Sequence, residues 1–579
     1  MAREADVGFN GYSSDMSTGS KLNPDSDHVP VTSHPDSLRS GEVSVEYIQG
    51  PRFRFICAAI AIMMFITNME IPVLITALIA ITSDLGGFDD SAMSITHTPD
   101  ETAVIIIFAK FSDIFGRKPI FLLSTATFII FSAACSAAQT LTQLIVFRAF
   151  QGIGGGGCFS LCTIMVFDLV PPEKYAQVVA NISVTNAVAL LVGPIIGGAI
   201  AANTTWRWIF IINVPIAAPA LVISVLAIPS GFPHHGQVRG QTAEKTLRHS
   251  ARKTLGRIDI PGTVLVLLAV LGLTAAFEEA DKLFPWKSTY VIALLIVSGL
   301  LWIVLIWWER YVSLSNSTRE PVLPWRLLTN RRMMGIFLNF LLLGGPTVIG
   351  MFIIPQRFQL VYGTSGLDAG VRLIPFTAAI PVSSVFASSL VGKYKVPPLY
   401  LILSGSCLQV LGFGLLGTLP ATLEIPARIY GYELIAGWGC GINFSLLFLM
   451  VPFVIEKRDH GKLCPWSSVS RDEGNDANRF PLAIGLGAAS QFRFIGSSMV
   501  LAISTSVFNS FARPRLQELG AAGADSLVAV LATLPTVVQE QIRYTLAEGY
   551  SRQTLALCVS AALQVPASLL MWTKKPLVV

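Results

Sequence analysis

FICAAIAIMMFITNMEIPVLIT, residues 55–76, is a 22-residue run with a single charge, Glu70, towards its far end. A helix needs about 20 mostly apolar residues to cross the roughly 30 Å hydrocarbon core of a bilayer, so this run can span one. Twelve further runs of the same kind occur near 119–138, 144–166, 178–201, 209–229, 260–277, 289–308, 333–354, 371–391, 399–418, 429–454, 482–508 and 554–573. One more, 91–111, is apolar mainly in AVIIIFA and is preceded by the polar string SITHTPDET. The composition agrees: of 579 residues, 52% are hydrophobic and 13% charged, with a mean hydropathy of +0.61. A soluble protein carries about a quarter charged residues. No single water-soluble core could hide this much apolar surface, so the expected fold class is an all-α polytopic membrane protein.

The net charge of +5 is too small and too scattered to suggest a nucleic-acid partner, and none is expected. Seven of the eight cysteines lie in apolar runs without metal-ligand spacing, and all seven histidines fall in tails or loops. No metal or haem site is therefore expected. The first fifty residues are polar and rich in Ser, Asp and Pro, and are expected to form a disordered cytoplasmic tail rather than a cleaved signal peptide.

Charge placement orients the spans. With fourteen spans and both termini inside, cytoplasmic segments hold 29 of the 41 Lys and Arg residues. The outer loops hold nine (Arg207, Lys282, Lys287, Arg357, Arg428, Arg513, Arg515, Arg543 and Arg552), and Arg148, Arg372 and Arg493 fall within spans. This is a strong positive-inside bias, and omitting 91–111 degrades it. Keeping that span brings His97, Asp100 and Glu101 into the membrane or to its edge, and an acid at mid-depth costs about 2.5–3.5 kcal/mol. No role is assigned to His97 or Asp100.

Five strings carry chemistry. AKFSDIFGRKP (109–119) sets Asp113 at a helix end, with Gly116 for a tight turn and Arg117 close by, a pattern suited to a charge latch between helices. RAFQGIGGGG (148–157) puts Arg148 inside an apolar helix, which is costly and points to function, beside glycines that admit a neighbouring backbone. LLVGPIIGGAI (190–200) combines Gly193 and Pro194 with Gly197 and Gly198, a kink with a flat small-residue face. WRWIFIINVP (206–215) supplies aromatics suited to the membrane interface. Glu70 sits within the first run, where burial favours a bound proton. Gln356, Arg372, Glu433, Gln491 and Arg493 are candidate cavity residues in the second half, with Gln359 beside Gln356 at an outer mouth. Of the glycosylation sequons, Asn203 alone lies on the outer side.

Taken in order, these strings resemble those of the major facilitator superfamily, and in particular the fungal fourteen-span drug:proton antiporters. The loop resembles G-x-x-x-D-x-x-G-R-K/R, with Ala109 in place of the leading Gly; the fourth span resembles R-x-x-Q-G-x-G; the fifth resembles the antiporter motif G-P-x-x-G-G. The likeness covers about 50–575, including 277–286, 330–376 and 491–509, and departs at 93–102 and in the loop insert 459–480. Such a resemblance implies a 1–50 tail, a six-helix bundle over 51–230, a loop and two extra helices over 231–332, and a second six-helix bundle over 333–579. It further implies proton-coupled efflux of small hydrophobic drugs, toxins or secondary metabolites by alternating access. Glu70, Asp113, Arg117 and Arg148 would couple or gate, and the 193–198 motif would mark export. The expected partners are the bilayer, protons and a small-molecule substrate, for a monomer in the plasma membrane, with the vacuolar membrane as the alternative. No Walker-type phosphate loop is present, so the energy source would be the proton gradient, with no cofactor. An importer of a siderophore, amine or sugar, or a non-transporting member, are the rival readings; an enzyme is not expected.

Overall fold

The computed structural model describes residues 48–85, 99–229, 232, 259–281, 284–315, 319–459, 480–519 and 535–573. The tail, His97, most of the loop after 230 and most of the 459–480 insert lie outside the described residues.

Among the described residues, fourteen long helices account for the fold: α1 (Pro51–Leu85), α2 (Pro99–Phe115), α3 (Arg117–Ser136), α4 (Leu141–Asp168), α5 (Tyr175–Asn203) and α6 (Arg207–Ala227). Then come α7 (Ile260–Glu279), α8 (Thr289–Leu314), α9 (Arg331–Leu360), α10 (Asp368–Tyr394), α11 (Pro398–Gly417), α12 (Arg428–Asp459), α13 (Phe480–Glu518) and α14 (Thr536–Leu569). Among the described residues, twelve helices are long and apolar enough to cross a membrane. The other two of the fourteen, α2 and α14, occupy the places of the short 91–111 and the final 554–573 runs. α2 is only 17 residues long.

Local chemistry sets the helix ends and bends. Thr140, Asp259, Ser288 and Asn330 each cap a helix by accepting a backbone N–H from Gln143, Gly262, Val291 and Arg332. In α9 the sequence GGPT removes one backbone donor at Pro346, and the helix relaxes into a π-helical turn over Gly345–Ile349. The Thr347 hydroxyl returns a hydrogen bond to the Leu343 carbonyl at 2.7 Å, satisfying a group that lipid could not.

Helices α1–α6 pack mainly on one another, as do α9–α14, giving two six-helix bundles. The bundles meet where α5 lies against α10 and α2 against α13. The α7–α8 hairpin is the pair of extra helices, with α7 seated on α2 and α13. At the α2–α13 crossing, a Cβ on Gly487 would stand 2.9 Å from the Ala109 Cβ. Ala109 therefore does not open a gap: the glycine that the loop motif lacks is supplied by the facing helix.

Two assignments from hydropathy change. Helix α14 starts at Thr536 rather than near 554, so Arg543 and Arg552 are helical rather than part of a loop. Its early turns carry QEQIRYTLAEGYSRQ, too polar for a hydropathy window, yet Ile542, Leu546 and Tyr550 pack into the second bundle. Arg357, counted with the outer loops, is buried in α9 and donates to the Ser551 hydroxyl at 3.3 Å.

Candidate functional site

A cavity of about 400 Å³ lies between the two bundles. Its first wall is α1, α2, α4 and α5; its second is α9, α10, α12 and α13. Most lining groups are apolar, and the polar ones converge from several helices, the usual make-up of a small-molecule site. The lining reaches Gln359 and Gly198 towards one end of the bundle. Towards the other end, which carries the Asp113 turn, residues 441–452 of α12 and 482–491 of α13 are buried throughout.

Glu70 forms part of the cavity wall, and Arg148 lies behind it, fully buried, with the two side chains ion-paired. The Arg148 guanidinium also donates to Gln151 Oε1 at 3.0 Å and rests 5.7 Å from the centre of the Phe210 ring. Gln151 in turn donates to Ser132 Oγ at 2.7 Å, so α1, α3 and α4 are joined by one polar chain in an apolar setting. A buried pair of this kind holds only if neither partner is removed.

The 193–198 motif abuts the same wall. A Cβ on Gly193 would stand 2.8 Å from Pro72 Cβ and 3.3 Å from the Met69 carbonyl oxygen, so α5 touches the turn of α1 that carries Glu70. Pro194 and Gly198 line the cavity, and Gly197 is buried.

The second-half candidates separate. Gln356, Gln359 and Arg493 line the cavity, with Arg493 on α13. Arg372, Glu433 and Gln491 do not. Arg372 sits partly exposed at the head of α10, paired with Asp368 at 2.9 Å and with Tyr430, over the Phe358 ring. Glu433 is buried in α12 within its own bundle. Gln491 accepts the Ile106 backbone N–H at 3.2 Å and so clamps α13 to α2. Each is polar inside an apolar run, and only distances sort them.

At the basic end, Arg117 is gripped by Asp113 and by Asp168 at 3.0 Å, tying α2, α3 and α4 together. This latch lies within one bundle. A link out of the bundle is made one turn earlier, by Lys110 with Glu320 at 2.7 Å, in the connector before α9. At the opposite end, the Trp206 indole and the Arg207 guanidinium donate to Asp84 and hold its carboxyl below the ordinary carboxylate range. Trp206 is thus buried against α1, not simply floating at an interface. Asn203 is exposed at the end of α5, and Asn443, within another sequon, is buried and donates to Ser406 and Gln564.

Two cavity residues escaped the sequence reading, Asn68 and Asn186. Their signal was a lone amide in an apolar run; Asn186 lies seven residues before Gly193, on the same face of α5.

A family profile described as Major Facilitator Superfamily matches residues 55–280. The chain is 34% identical to "MFS-type transporter FPY5" of Fusarium mangiferae over 92% of this chain and 85% of that one. It is 30% identical to "Multidrug resistance protein 3" of Bacillus subtilis over 68% of this chain and 72% of that one. To "Efflux pump FUS6" of Gibberella moniliformis it is 30% identical, over 72% and 71%. Among solved structures, the human organic anion transporter MFSD10 superposes with a TM-score of 0.51 at 14% identity, over 89% of this chain and all of that one. A bacterial homologue of the human lysosomal transporter Spinster does so with 0.50 at 14%, over 91% and all. At this identity the superpositions speak to fold alone.

Proposed function

The chain belongs to the major facilitator superfamily, and we propose that this multi-pass membrane transporter exports small hydrophobic compounds in exchange for protons. The observation that carries the proposal is the ion-paired Glu70 in the cavity wall, on the turn of α1 against which Gly193 packs. A carboxylate there can trade its bond to Arg148 for a proton as the bundles rock, because either partner neutralises it in a medium that penalises a lone charge. The same motion re-forms the α1–α5 contact beside it, so protonation and access are read by one element.

The basic end of the bundle faces the cytosol in this reading, with both termini inside and the plasma membrane as the site of action. The packing of α12 and α13 near the Asp113 turn, against a lining that reaches Gln359 and Gly198, then corresponds to a cavity turned outward. Arg117, Asp113 and Asp168 hold the closed inner end together, and Lys110 with Glu320 reaches out of the bundle. Names given to relatives, efflux pump and multidrug resistance protein among them, favour export.

Inside-out plasma-membrane vesicles with an acidic lumen test both direction and energy source. A fluorescent hydrophobic compound that is not a weak base is expected to accumulate in the lumen and to leave when a protonophore is added. Accumulation only in right-side-out vesicles with an acidic exterior would instead make the protein an importer.

A further inference from the structure

Among the described residues, two charged side chains line the cavity, Glu70 and Arg493. Glu70 is ion-paired with Arg148, so that part of the wall is neutral overall. Arg493 has no such partner: among the described residues it makes no ion pair, and its Nε is buried without an acceptor. Only 7% of the residue is exposed, and that exposure is to the cavity. Its guanidinium is surrounded by three rings, Phe494 at 4.3 Å, Phe444 at 5.6 Å and Phe159 at 5.7 Å from their centres. Ring faces stabilise a cation and accept none of its five N–H donors in a strong hydrogen bond. The cavity therefore presents a held, desolvated cation with its hydrogen-bonding capacity unspent.

We infer that the transported compound is an amphipathic organic anion, whose carboxylate pairs with Arg493 while its hydrophobic body lies along the apolar walls. The inference rests on reading the cavity as the transport site. Geometry supports a carboxylate in particular, because the planar guanidinium fork offers two parallel donors to a planar two-oxygen acceptor. The aromatic cage that fixes Arg493 also suits a flat, unsaturated body, since Phe159, Phe444 and Phe494 all line the cavity. Asn186 and Gln356 add neutral donors that can serve other oxygens of the compound. A cationic compound would meet a net positive wall and be disfavoured.

The test uses the full chain in lipid nanodiscs and three probes of one shape: 2-naphthoate, methyl 2-naphthoate and 2-(aminomethyl)naphthalene. Dissociation constants are measured for wild type, Arg493→Lys and Arg493→Gln. A charge-assisted pair out of water sets the expected preference of wild type for 2-naphthoate over its ester at about tenfold or more. Arg493→Lys keeps a preference for the acid. Arg493→Gln loses it while still binding the ester, which also reports that this variant is folded. Equal binding of acid and ester, tighter binding of the amine, or an acid preference that survives in Arg493→Gln would overturn the inference and leave the transport site in place. Failure of all three probes to bind would overturn the reading of the cavity itself, and the anion with it.

Discussion

Replacing Arg148 with alanine is expected to destabilise the folded transporter by about 3–5 kcal/mol, the range for breaking a buried ion pair from one side. The deficit comes from what remains. Glu70 would keep its carboxylate only 5% exposed, without its cation beside it. Gln151 would lose the Arg148 donor that helps fix it against Ser132. The readout is a fall in the apparent Tm of purified protein in detergent, together with reduced surface expression. The double variant Glu70→Gln with Arg148→Ala removes both charges and is expected to recover most of the loss, although not transport. Two such substitutions in contact do not add. A double variant as unstable as the sum of the single ones would mean that the two groups do not depend on each other.

Gly193→Val is expected to abolish transport. The first carbon of any side chain at this position would stand 2.8 Å from Pro72 Cβ, closer than such atoms pack, and Pro72 is a rigid ring within α1. Either α1 and α5 separate, at about 1–3 kcal/mol or more for overpacking, or Pro72 moves and takes the Glu70 turn with it. Substrate efflux from whole cells and thermal stability of the purified protein separate these outcomes. Gly198→Ala is the control for folding, because its added methyl meets nothing within 4 Å. A Gly193→Val protein that transports normally would mean that the close α1–α5 contact is dispensable.

The apolar runs located the helices because lipid forces every span to satisfy its own backbone, and that requirement leaves a plain signature in hydropathy. Where a helix leaves the lipid, the signature ends but the helix does not. Helix α14 begins eighteen residues before its apolar run, and α13 continues to Glu518. The short α2 was kept by charge asymmetry and its Asp113 turn, and it packs between α4 and α13. Site residues were legible where a charge stood inside an apolar run, as with Glu70, Arg148 and Arg493. Their grouping was not. Glu70 and Arg148 are 78 positions apart, and nothing in either run says that they touch while Glu433 and Gln491 stand elsewhere. Arg357 shows the reverse error: hydropathy placed it outside, although a helix turn buries it against α14. Only the neighbour of each polar group decides its role, and neighbours belong to the tertiary structure.

In the proposed mechanism Glu70 carries the proton that drives export. The most direct measurement reconstitutes wild type and Glu70→Gln into proteoliposomes and records two fluxes of one substrate for each. One flux is driven by an imposed pH gradient; the other is substrate exchange with no gradient. The account predicts that Glu70→Gln, a neutral mimic of the protonated acid, keeps exchange but loses uptake driven by the pH gradient and the proton movement that accompanies it. Gradient-driven uptake at the wild-type level in Glu70→Gln would contradict it.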